Sequence, residues 1–472
     1  MDNVSIGQII LSSILAISVI GAILVVISEN RNPIRTQAWV ILLITLPVIG
    51  IVLYYFFGQN TRKVKRMSLK YYKRIMELTQ DALLPSDNVQ YMERVSGLTG
   101  MLQQINGAYL LQGSEVEVIT SGSRKFEALL DDIRHARHHI HFEYFIFSND
   151  ATGKRIKELL IEKAKEGVEV RFLYDHLASW FVPPRFFYEM KKEGIQVAPF
   201  FKRFYPVFRS RANYRNHRKI VVIDGYIGYI GGMNVGDNYS ARGSHWRDTH
   251  LRILGRGVHG LQATFLIDWQ AVGGGWVDYK RYFPDCEIKT DNLMQIVSGA
   301  PVYPHHNLLK ATVYIVMNAR KYVYIQTPYF LPPESLFEAL ETAALAGIDV
   351  RLMVSKKSDS SYVDPAARSY YERLLKAGLR IYEMKGAFCH AKTMVCDDFI
   401  SVIGSANMDF RSFETNFEVN AYLYDEELAI RNREIFFQDM QQCDEVDLQA
   451  WQNRPWRQRM FESFMRLFAP LM

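Results

Sequence analysis

The chain has 472 residues, of which 49% are hydrophobic and 22% are charged. At roughly 100–200 residues per domain this length allows two to four domains with buried cores, and the composition excludes the disordered and fibrous classes of protein. The formal net charge of +6 favours an anionic partner without choosing between lipid headgroups and nucleic acid. The 4 cysteines are widely spaced without a CxxC pair, which argues against a disulfide framework and indicates a reducing compartment.

The N-terminus contains two long apolar segments without a charged residue. They run from Asn3 to Ser28 and from Thr36 to Thr61, and each covers the roughly 20 residues that a membrane helix needs. A cleaved signal peptide is the alternative for the first segment, but no basic region precedes it and no small-residue cleavage site follows it. We therefore predict a membrane hairpin of two transmembrane helices over residues 1–60.

Basic residues are unevenly distributed around these two segments. The loop between them holds 2 arginines, whereas 7 lysines and arginines follow within residues 62–74. Because an excess of basic residues marks the cytoplasmic side of a membrane segment, the chain from residue 62 onward is predicted to be cytoplasmic. Residues 61–105 form a basic connector in this interpretation.

A duplicated α/β unit follows the connector. Three β-rich segments recur in the same order at offsets of 183, 180 and 184 residues. The pairs are His138–Phe147 with Lys321–Phe330, Gly167–Asp175 with Gly347–Ser355, and Lys192–Val197 with Lys376–Ile381. Helical stretches between the strands imply crossover connections and a sheet covered by helices. We predict two related halves at residues 106–290 and 291–445, followed by a separate segment at 446–472.

The polar residues of the two halves also repeat, at an offset of 173 residues. Both copies read His-x-Lys, four residues, Asp, six residues, Gly-(Gly/Ser)-x-Asn. The matching residues are His217, Lys219, Asp224 and Asn234 in the first copy, and His390, Lys392, Asp397, Ser405 and Asn407 in the second. The neighbouring residues are apolar and β-branched, so each His and Lys is predicted to share one face of a strand.

A histidine beside a lysine suits chemistry at phosphorus. A neutral imidazole can attack phosphorus or pass a proton, and an ammonium group neutralises the non-bridging oxygens. Small and polar residues follow the second strand of each copy, where backbone and side-chain donors can approach a phosphate closely. The candidates are the glycines, Ser405 and the two asparagines.

Carboxylates accompany each motif at two places. Asp224 precedes a glycine and reads as a turn between strands, which favours a scaffold or a partner of lysine over a proton carrier. Further along the chain, Asp248 follows the first motif and Glu418 follows the second. An acid at that point is suited to bond Nδ1 of an imidazole and to fix its tautomer.

The paired motifs resemble those of the phospholipase D superfamily. The apolar segment Ala38–Gly58 and the closing residues Phe468–Met472 resemble bacterial cardiolipin synthases of that superfamily. The resemblance implies an α/β fold with two tandem phospholipase D-like domains, built of mixed β-sheets flanked by helices, related by a pseudo-twofold axis and preceded by two transmembrane helices. It also implies one active site where the halves meet, with a phosphohistidine intermediate, no cofactor and no metal. The implied catalytic residues are His217, Lys219, Asp224, His390, Lys392 and Asp397, with Asn234, Asn407, Ser405, Asp248 and Glu418 in support.

The activity implied by this resemblance is phosphatidyl transfer from one phosphatidylglycerol to another, giving cardiolipin and glycerol. His217 is favoured as the nucleophile and His390 as the acid and base by analogy with the family, although both have an acid downstream. The implied partners are anionic phospholipid and membrane, without nucleic acid. The implied location is the bacterial cytoplasmic membrane, with the catalytic domains on the cytoplasmic side. The sequence leaves the phosphatidyl acceptor and the oligomeric state open.

Two further segments are suited to contact lipid. Pro199–Lys219 combines seven basic residues with aromatic ones and contains no acid, as in a headgroup-binding or a simply solvated loop. Trp456–Leu471 has the pattern of an amphipathic helix, either at a membrane interface or packed on a core. Three alternative functions remain: a membrane-tethered hydrolase, a nuclease, and a non-catalytic lipid-binding scaffold.

Overall fold

The computed structural model describes residues 6–28, 33–54, 95–201, 214–240, 246–275, 279–286, 288 and 290–472. The chain separates into two units, Met1–Arg66 with Arg203–Tyr214, and Met67–Lys202 with Arg215–Met472. Most of the predicted connector and residues 202–213 of the basic aromatic segment lie outside the described residues.

Three apolar helices occur in the described part of the smaller unit. They are α1 (Ile6–Ser28), α2 (Pro33–Thr45) and α3 (Pro47–Leu53). Val26, Leu43 and Tyr54 form its small buried cluster, while most of the other aliphatic side chains described here are exposed. Within the described ranges, no helix is both long and apolar enough to qualify as a membrane span. The two predicted transmembrane helices are therefore not confirmed.

The larger unit alternates strands and helices. Its helices before residue 290 are α4 (Ser96–Asn106), α5 (Gly122–His135), α6 (Ala151–Lys165), α7 (Pro184–Lys192) and α8 (Val258–Ala271). Its strands there are β1 (Leu111–Gln112), β2 (Ser114–Ile119), β3 (His139–Tyr144), β4 (Glu169–Asp175), β5 (Gln196–Phe200), β6 (Lys219–Ile223), β7 (Ile227–Gly231), β8 (Trp246–Arg247) and β9 (His250–Gly255).

The remainder of the larger unit repeats this alternation. Its helices are α9 (Asn307–Asn318), α10 (Glu334–Leu345), α11 (Val363–Arg368), α12 (Tyr371–Lys376), α13 (Phe410–Glu414), α14 (Glu426–Met440), α15 (Leu448–Gln452) and α16 (Trp456–Arg466). Its strands are β10 (Leu293–Gly299), β11 (Tyr322–Gln326), β12 (Phe330–Leu331), β13 (Asp349–Ser355), β14 (Arg380–Met384), β15 (Phe388–Cys389), β16 (Thr393–Cys396), β17 (Ile400–Gly404), β18 (Met408–Asp409), β19 (Glu418–Tyr424) and β20 (Cys443–Glu445).

Two mixed sheets with matching topology form the two halves. The first has the order β2-β9-β7-β6-β3-β4-β5, and the second has the order β1-β10-β19-β17-β16-β11-β13-β14-β20. In each, three parallel strands are joined by crossover helices and the next three strands are antiparallel. The predicted fold class, a mixed α/β architecture of two tandem domains, is confirmed in this respect.

The edge strand of the second sheet, β1, comes from chain that precedes β2 and that the sequence analysis assigned to the first half. Strand β1 pairs with β10, and α4 places Leu98 and Leu102 in the hydrophobic core of the second half. Gln295 on β10 donates to the backbone of both Thr99 and Ala108. Part of the predicted connector, residues 95–105, is therefore integrated into the second half.

The two halves meet through a shared apolar layer. Buried residues of β6 and β7 in the first half cluster with residues of β10 and β19 in the second half and with helix α8. Two short parallel contacts also join the halves, the pair β8–β15 and the bridge between Asn216 and Phe417. Both contacts lie beside the repeated polar motifs, so the interface fixes the relative position of those motifs.

Candidate active site

Each repeated histidine is anchored to backbone of the other half. The amide of His217 donates to the carbonyl oxygen of Phe417 at 2.9 Å, and the amide of His390 donates to that of Arg247 at 2.7 Å. In both cases the residue after the acceptor is an acid, Glu418 or Asp248. The backbone pairing therefore delivers an acid from one half to a histidine of the other.

The side chains complete this crossed arrangement. Nδ1 of His217 lies 3.0 Å from both carboxylate oxygens of Glu418, and Nδ1 of His390 lies 2.6 Å from Oδ2 of Asp248. A carboxylate accepts a hydrogen bond from Nδ1–H and so favours the neutral tautomer in which the ring lone pair is on Nε2. The structure thus places both acids in the orienting position that the sequence predicted. It adds that each acts across the interface between the halves, which local sequence spacing did not indicate.

Burial determines the charge state of the two imidazoles. His217 is 8% exposed and His390 is 6% exposed. Burial lowers the pKa of His217 to about 4 although Glu418 opposes the shift. Burial together with the charge of Lys392 lowers the pKa of His390 to about 3, against the opposing charge of Asp248. Both rings are therefore neutral near physiological pH, and a bound phosphodiester anion favours protonation of whichever ring acts as an acid.

The two lysines stand beside the histidines as predicted. Nζ of Lys219 donates to the carbonyl oxygen of His217 at 2.6 Å, and Lys392 bonds His390 in the same way. Burial lowers the pKa of Lys219 to about 7 and also lowers the pKa of Lys392, against the opposing charges of Glu418 and Asp248. Each lysine also acts electrostatically on the histidine of the other half. The motifs therefore share one electrostatic field, suited to bind an anion.

Asp224 and Asp397 have a structural position in both halves. Each adopts a left-handed backbone with φ of 53° in the turn after the motif strand. The carboxylate of Asp224 accepts from the amides of residues 137, 138 and 139, and that of Asp397 accepts from residues 320, 321 and 322. Four residues of extended chain lie between each Lys and its Asp, so the two Cα atoms are five residue steps apart, which is about 16 Å. We therefore correct their grouping with the catalytic residues, since these carboxylates tie the turn to the start of the neighbouring strand.

Ser405 explains one difference between the two motif copies. Its hydroxyl donates to Oε2 of Glu418 at 2.5 Å, and the amide of Val419 donates to the same hydroxyl. In the first half Gly232 stands in this place, where an added Cβ would lie 2.2 Å from Oδ1 of Asp248. The glycine therefore leaves room for the aspartate, while the serine braces the glutamate.

The two motif asparagines are engaged locally. Asn234 donates to the hydroxyl of Tyr239 at 2.8 Å and accepts from the amide of Ile146. The Asn407 side chain bonds the carboxylate of Asp409, and its backbone amide donates to Ser412. These contacts support the loops around the histidines, and a direct contact of either amide with a phosphate stays a prediction.

Two arginines bond the backbone of the orienting acids, a role that the sequence analysis missed. It placed Arg218 in a lipid-binding or solvated loop, whereas Arg218 is buried. Nε of Arg218 donates to the carbonyl oxygen of Glu418 at 3.0 Å, and Arg218 forms a buried ion pair with Asp268. Nη1 of Arg247 donates to the carbonyl oxygen of Asp248 at 2.6 Å, and its Nε lies 2.8 Å from Oδ1 of Asp439. A signal for this pair is present in the sequence, since Asp268 and Asp439 both lie in the last turns of the long helix that follows each motif, α8 and α14.

Aromatic rings line the site. The ring of Phe145 lies 4.7 Å from that of His217, and the ring of Trp246 lies 5.0 Å from that of His390. Tyr239 and Phe388 also contact His390. Such apolar walls exclude water from the reacting atoms.

The geometry agrees with the comparisons to known proteins. A family model described as "Cardiolipin synthase, PLD-like domain" matches residues 129–246 and 314–440, which contain both motifs. The chain belongs to this family. A second model, described as "Phospholipase_D-nuclease N-terminal", matches residues 13–59.

Named relatives and a solved structure extend this comparison. The chain is 39% identical to "Cardiolipin synthase 1" of Bacillus cereus over 97% of this chain and 93% of that protein. It is also 39% identical to "Major cardiolipin synthase ClsA" of Bacillus subtilis over 99% of this chain and 100% of that protein. A crystal structure of phosphatidylserine synthase from Haemophilus influenzae superposes with a TM-score of 0.60 at 14% identity, covering 80% of this chain and 100% of that one. This last likeness shows the fold alone.

Proposed function

We propose that the protein is a cardiolipin synthase, which transfers a phosphatidyl group from one phosphatidylglycerol to another and releases glycerol. One observation supports this most strongly: two buried imidazoles, each fixed by a carboxylate of the opposite half, with two buried lysines beside them. A nucleophile, a proton carrier and cations for a phosphoryl group are thus available in one place.

The first half-reaction forms a phosphohistidine. Nε2 of His217 attacks the phosphorus of one phosphatidylglycerol, and the bond from phosphorus to the headgroup glycerol oxygen breaks. His390, protonated in the presence of the substrate anion, gives its Nε2 proton to that oxygen. Glycerol leaves with this proton, and the phosphatidyl group remains on His217. Glu418 stabilises the charge that develops on the His217 ring.

The second half-reaction reverses the role of His390. As a neutral base it takes the proton of a headgroup hydroxyl on a second phosphatidylglycerol. The resulting oxygen attacks the phosphorus, and the bond between phosphorus and His217 breaks to give cardiolipin. One phosphodiester replaces another, so bonds, protons and charge balance without ATP. The ammonium groups of Lys219 and Lys392 neutralise the non-bridging oxygens in both steps.

We assign His217 the role of nucleophile because its carboxylate is held more extensively. Glu418 contacts Nδ1 through both oxygens and is bonded by Ser405 and by Asn416. A nucleophile must keep one position while the phosphorus bond forms and breaks, and such bracing supplies that rigidity.

The proposed location is the bacterial cytoplasmic membrane, with two membrane crossings near the N-terminus and the larger unit on the cytoplasmic side. Exposed aliphatic side chains on α1, α2 and α3 support the attachment, because contiguous exposed apolar surface is uncommon on proteins surrounded by water. The basic residues at 62–74 support the orientation.

The test uses the full chain in phosphatidylglycerol liposomes with a metal chelator. Cardiolipin, glycerol and phosphatidic acid are quantified by mass spectrometry. We expect cardiolipin and glycerol in equal amounts, lost in His217→Asn and His390→Asn and retained in the control His305→Asn, which replaces an exposed histidine.

Other products would identify the alternatives. Phosphatidic acid as the main product would show a hydrolase. Full product formation by both motif variants would show that another site carries the activity. Absence of any lipid product from the unmodified chain would favour a scaffold or a nuclease, and adding single-stranded DNA separates these two.

A further inference from the structure

Exposed aromatic residues lie beside the active site in the first half. The loop after β4 contains Trp180 and Phe181, and the side chain of Phe181 is 94% exposed. This loop starts at Asp175, whose carboxylate accepts from the amide of Asn216, the residue before His217. The exposed pair is therefore attached to the edge of the sheet at which His217 lies.

The second half carries a larger apolar surface on helix α16. Met465 and Ala469 pack inward against α11, which follows the loop after β13. Trp456, Met460, Phe464 and Leu467 occur at intervals of four, four and three residues, which places them on one helical face. All four are exposed, as are Phe461 and Phe468. Among the described residues, the face of α16 opposite to its packed face is therefore apolar and exposed to solvent.

Both surfaces lie at the end of the fold at which the parallel strands finish. His217 precedes β6, which runs antiparallel to β3, so it lies at the carboxyl ends of β3 and β4. His390 precedes β16, which runs antiparallel to β11, so it lies at the carboxyl ends of β11 and β13. The loops after β4 and β13 are equivalent in the duplication. The two apolar surfaces therefore lie at the same ends of the two sheets as the two histidines.

We propose that this end of the larger unit docks on a lipid surface with anionic headgroups, through the loop Leu177–Pro183 and the exposed face of α16. The charge distribution on α16 favours an anionic lipid surface as the partner. Its exposed charged residues near that face include Arg457, Arg459 and Arg466, whereas Glu462 is buried and paired with Arg454. Apolar side chains with flanking arginines and a buried acid fit an anionic bilayer interface.

Docking in this orientation places the histidines toward the lipid layer that holds their substrate. The headgroup phosphate then reaches the site without the acyl chains crossing water, which is the reason for an apolar rim around a polar centre. This inference rests on the proposed function for the identity of the substrate, but the docking itself depends only on the surface.

Two sets of serine substitutions test the proposal in the full chain. One combines Trp180→Ser and Phe181→Ser, and the other combines Trp456→Ser, Phe464→Ser and Leu467→Ser. Leu345→Ser with Met317→Ser is the matched control, because both residues are exposed at helix ends on the opposite edge of the second sheet. Phosphatidyl transfer is measured with long-chain phosphatidylglycerol in vesicles and with short-chain phosphatidylglycerol below its critical micelle concentration.

Each docking set is expected to lower the rate on vesicles by about tenfold or more, while the control stays near the unmodified rate. The rate on monomeric substrate should change little. Equal losses on both substrates would overturn the proposal, because they would place these residues in catalysis or folding. Unchanged rates on vesicles would overturn it as well.

A fluorescence measurement separates docking from activity. Lipids brominated on the acyl chains should quench the emission that is lost on Trp180→Phe or Trp456→Phe, and quenching should increase with the phosphatidylglycerol content of the vesicles. Quenching without cardiolipin synthesis would support docking and reject the proposed reaction. Cardiolipin synthesis without quenching at either position would reject docking and keep the reaction.

Discussion

Replacing Glu418 by glutamine tests the crossed arrangement most directly. The carboxylate is fully buried and lies 3.0 Å from Nδ1 of His217 through both oxygens. A hydrogen bond to a charged group contributes about 1.5–3 kcal/mol, which corresponds to a rate change of about 10–150-fold if it is needed in the transition state. A glutamine amide that turns its NH₂ toward Nδ1 also moves the ring proton to Nε2 and removes the attacking lone pair. Loss of the correct tautomer raises the expected effect to as much as about 10⁴-fold.

The assay is single-turnover formation of the phosphohistidine, followed by rapid acid-free quenching and detection of labelled protein. The variant should form the intermediate about 10²–10⁴ times more slowly while its thermal unfolding stays cooperative. Ser405→Ala is the graded control, because it removes one bond to Glu418 and keeps the carboxylate. A rate for Glu418→Gln within about threefold of the unmodified chain would refute the orienting role.

Three further predictions concern stability and pH. Arg218→Met should lower the free energy of unfolding, measured in urea, by about 3–5 kcal/mol because it leaves Asp268 buried without its cation. Arg247→Met should lower it less, since Arg247 is more exposed. Equal losses in the two variants would contradict the burial argument. The folded pKa values of His217 and His390, about 4 and about 3, lie below the ordinary value of 6.5, so the unfolded chain binds more protons and stability is lost as pH falls from 6.5 toward these values. The loss should approach roughly 1.4 kcal/mol per pH unit for each ring, and the double variant with asparagine at both positions should flatten the urea-midpoint profile. Asp224→Ala should lower the free energy of unfolding by about 2–4 kcal/mol, because three hydrogen bonds to backbone amides are lost, and should leave kcat nearly unchanged. A large loss of kcat at unchanged stability would show that Asp224 takes part in catalysis.

The sequence was sufficient for the features that depend on local pattern. Duplication of the motif identified both histidines and both lysines. The alternation of strands and helices predicted the parallel strands next to the motif strands β6 and β16, which themselves pair antiparallel. Period-two spacing predicted one strand face for each His and its Lys. In the structure β6 begins at Lys219 and β16 begins at Thr393, and His217 follows Asn216, which bridges to Phe417 of the other half.

The features that were missed depend on pairing across long sequence distances. Asp248 and Glu418 were recognisable as acids, but their partners lie 142 and 201 residues away in the other half. Helix α4 has an ordinary amphipathic pattern, and nothing local shows that its apolar side packs in the core of the second half. Asp397 shares a motif with His390, yet an extended strand carries it away from the ring.

The crossed carboxylates make the duplication itself part of the catalytic design. Each half supplies a histidine and a lysine, but the acid that sets the histidine's tautomer comes from the other half. Arg218 strengthens the same dependence, because it pairs with Asp268 in its own half and bonds the backbone of Glu418 and Gly299 in the second. A half on its own would present an imidazole without an orienting acid, with the apolar layer between the sheets exposed to water. The orienting acids reach the histidines only when the two halves pack against each other. A substitution that loosens the shared apolar layer should therefore impair both histidines together.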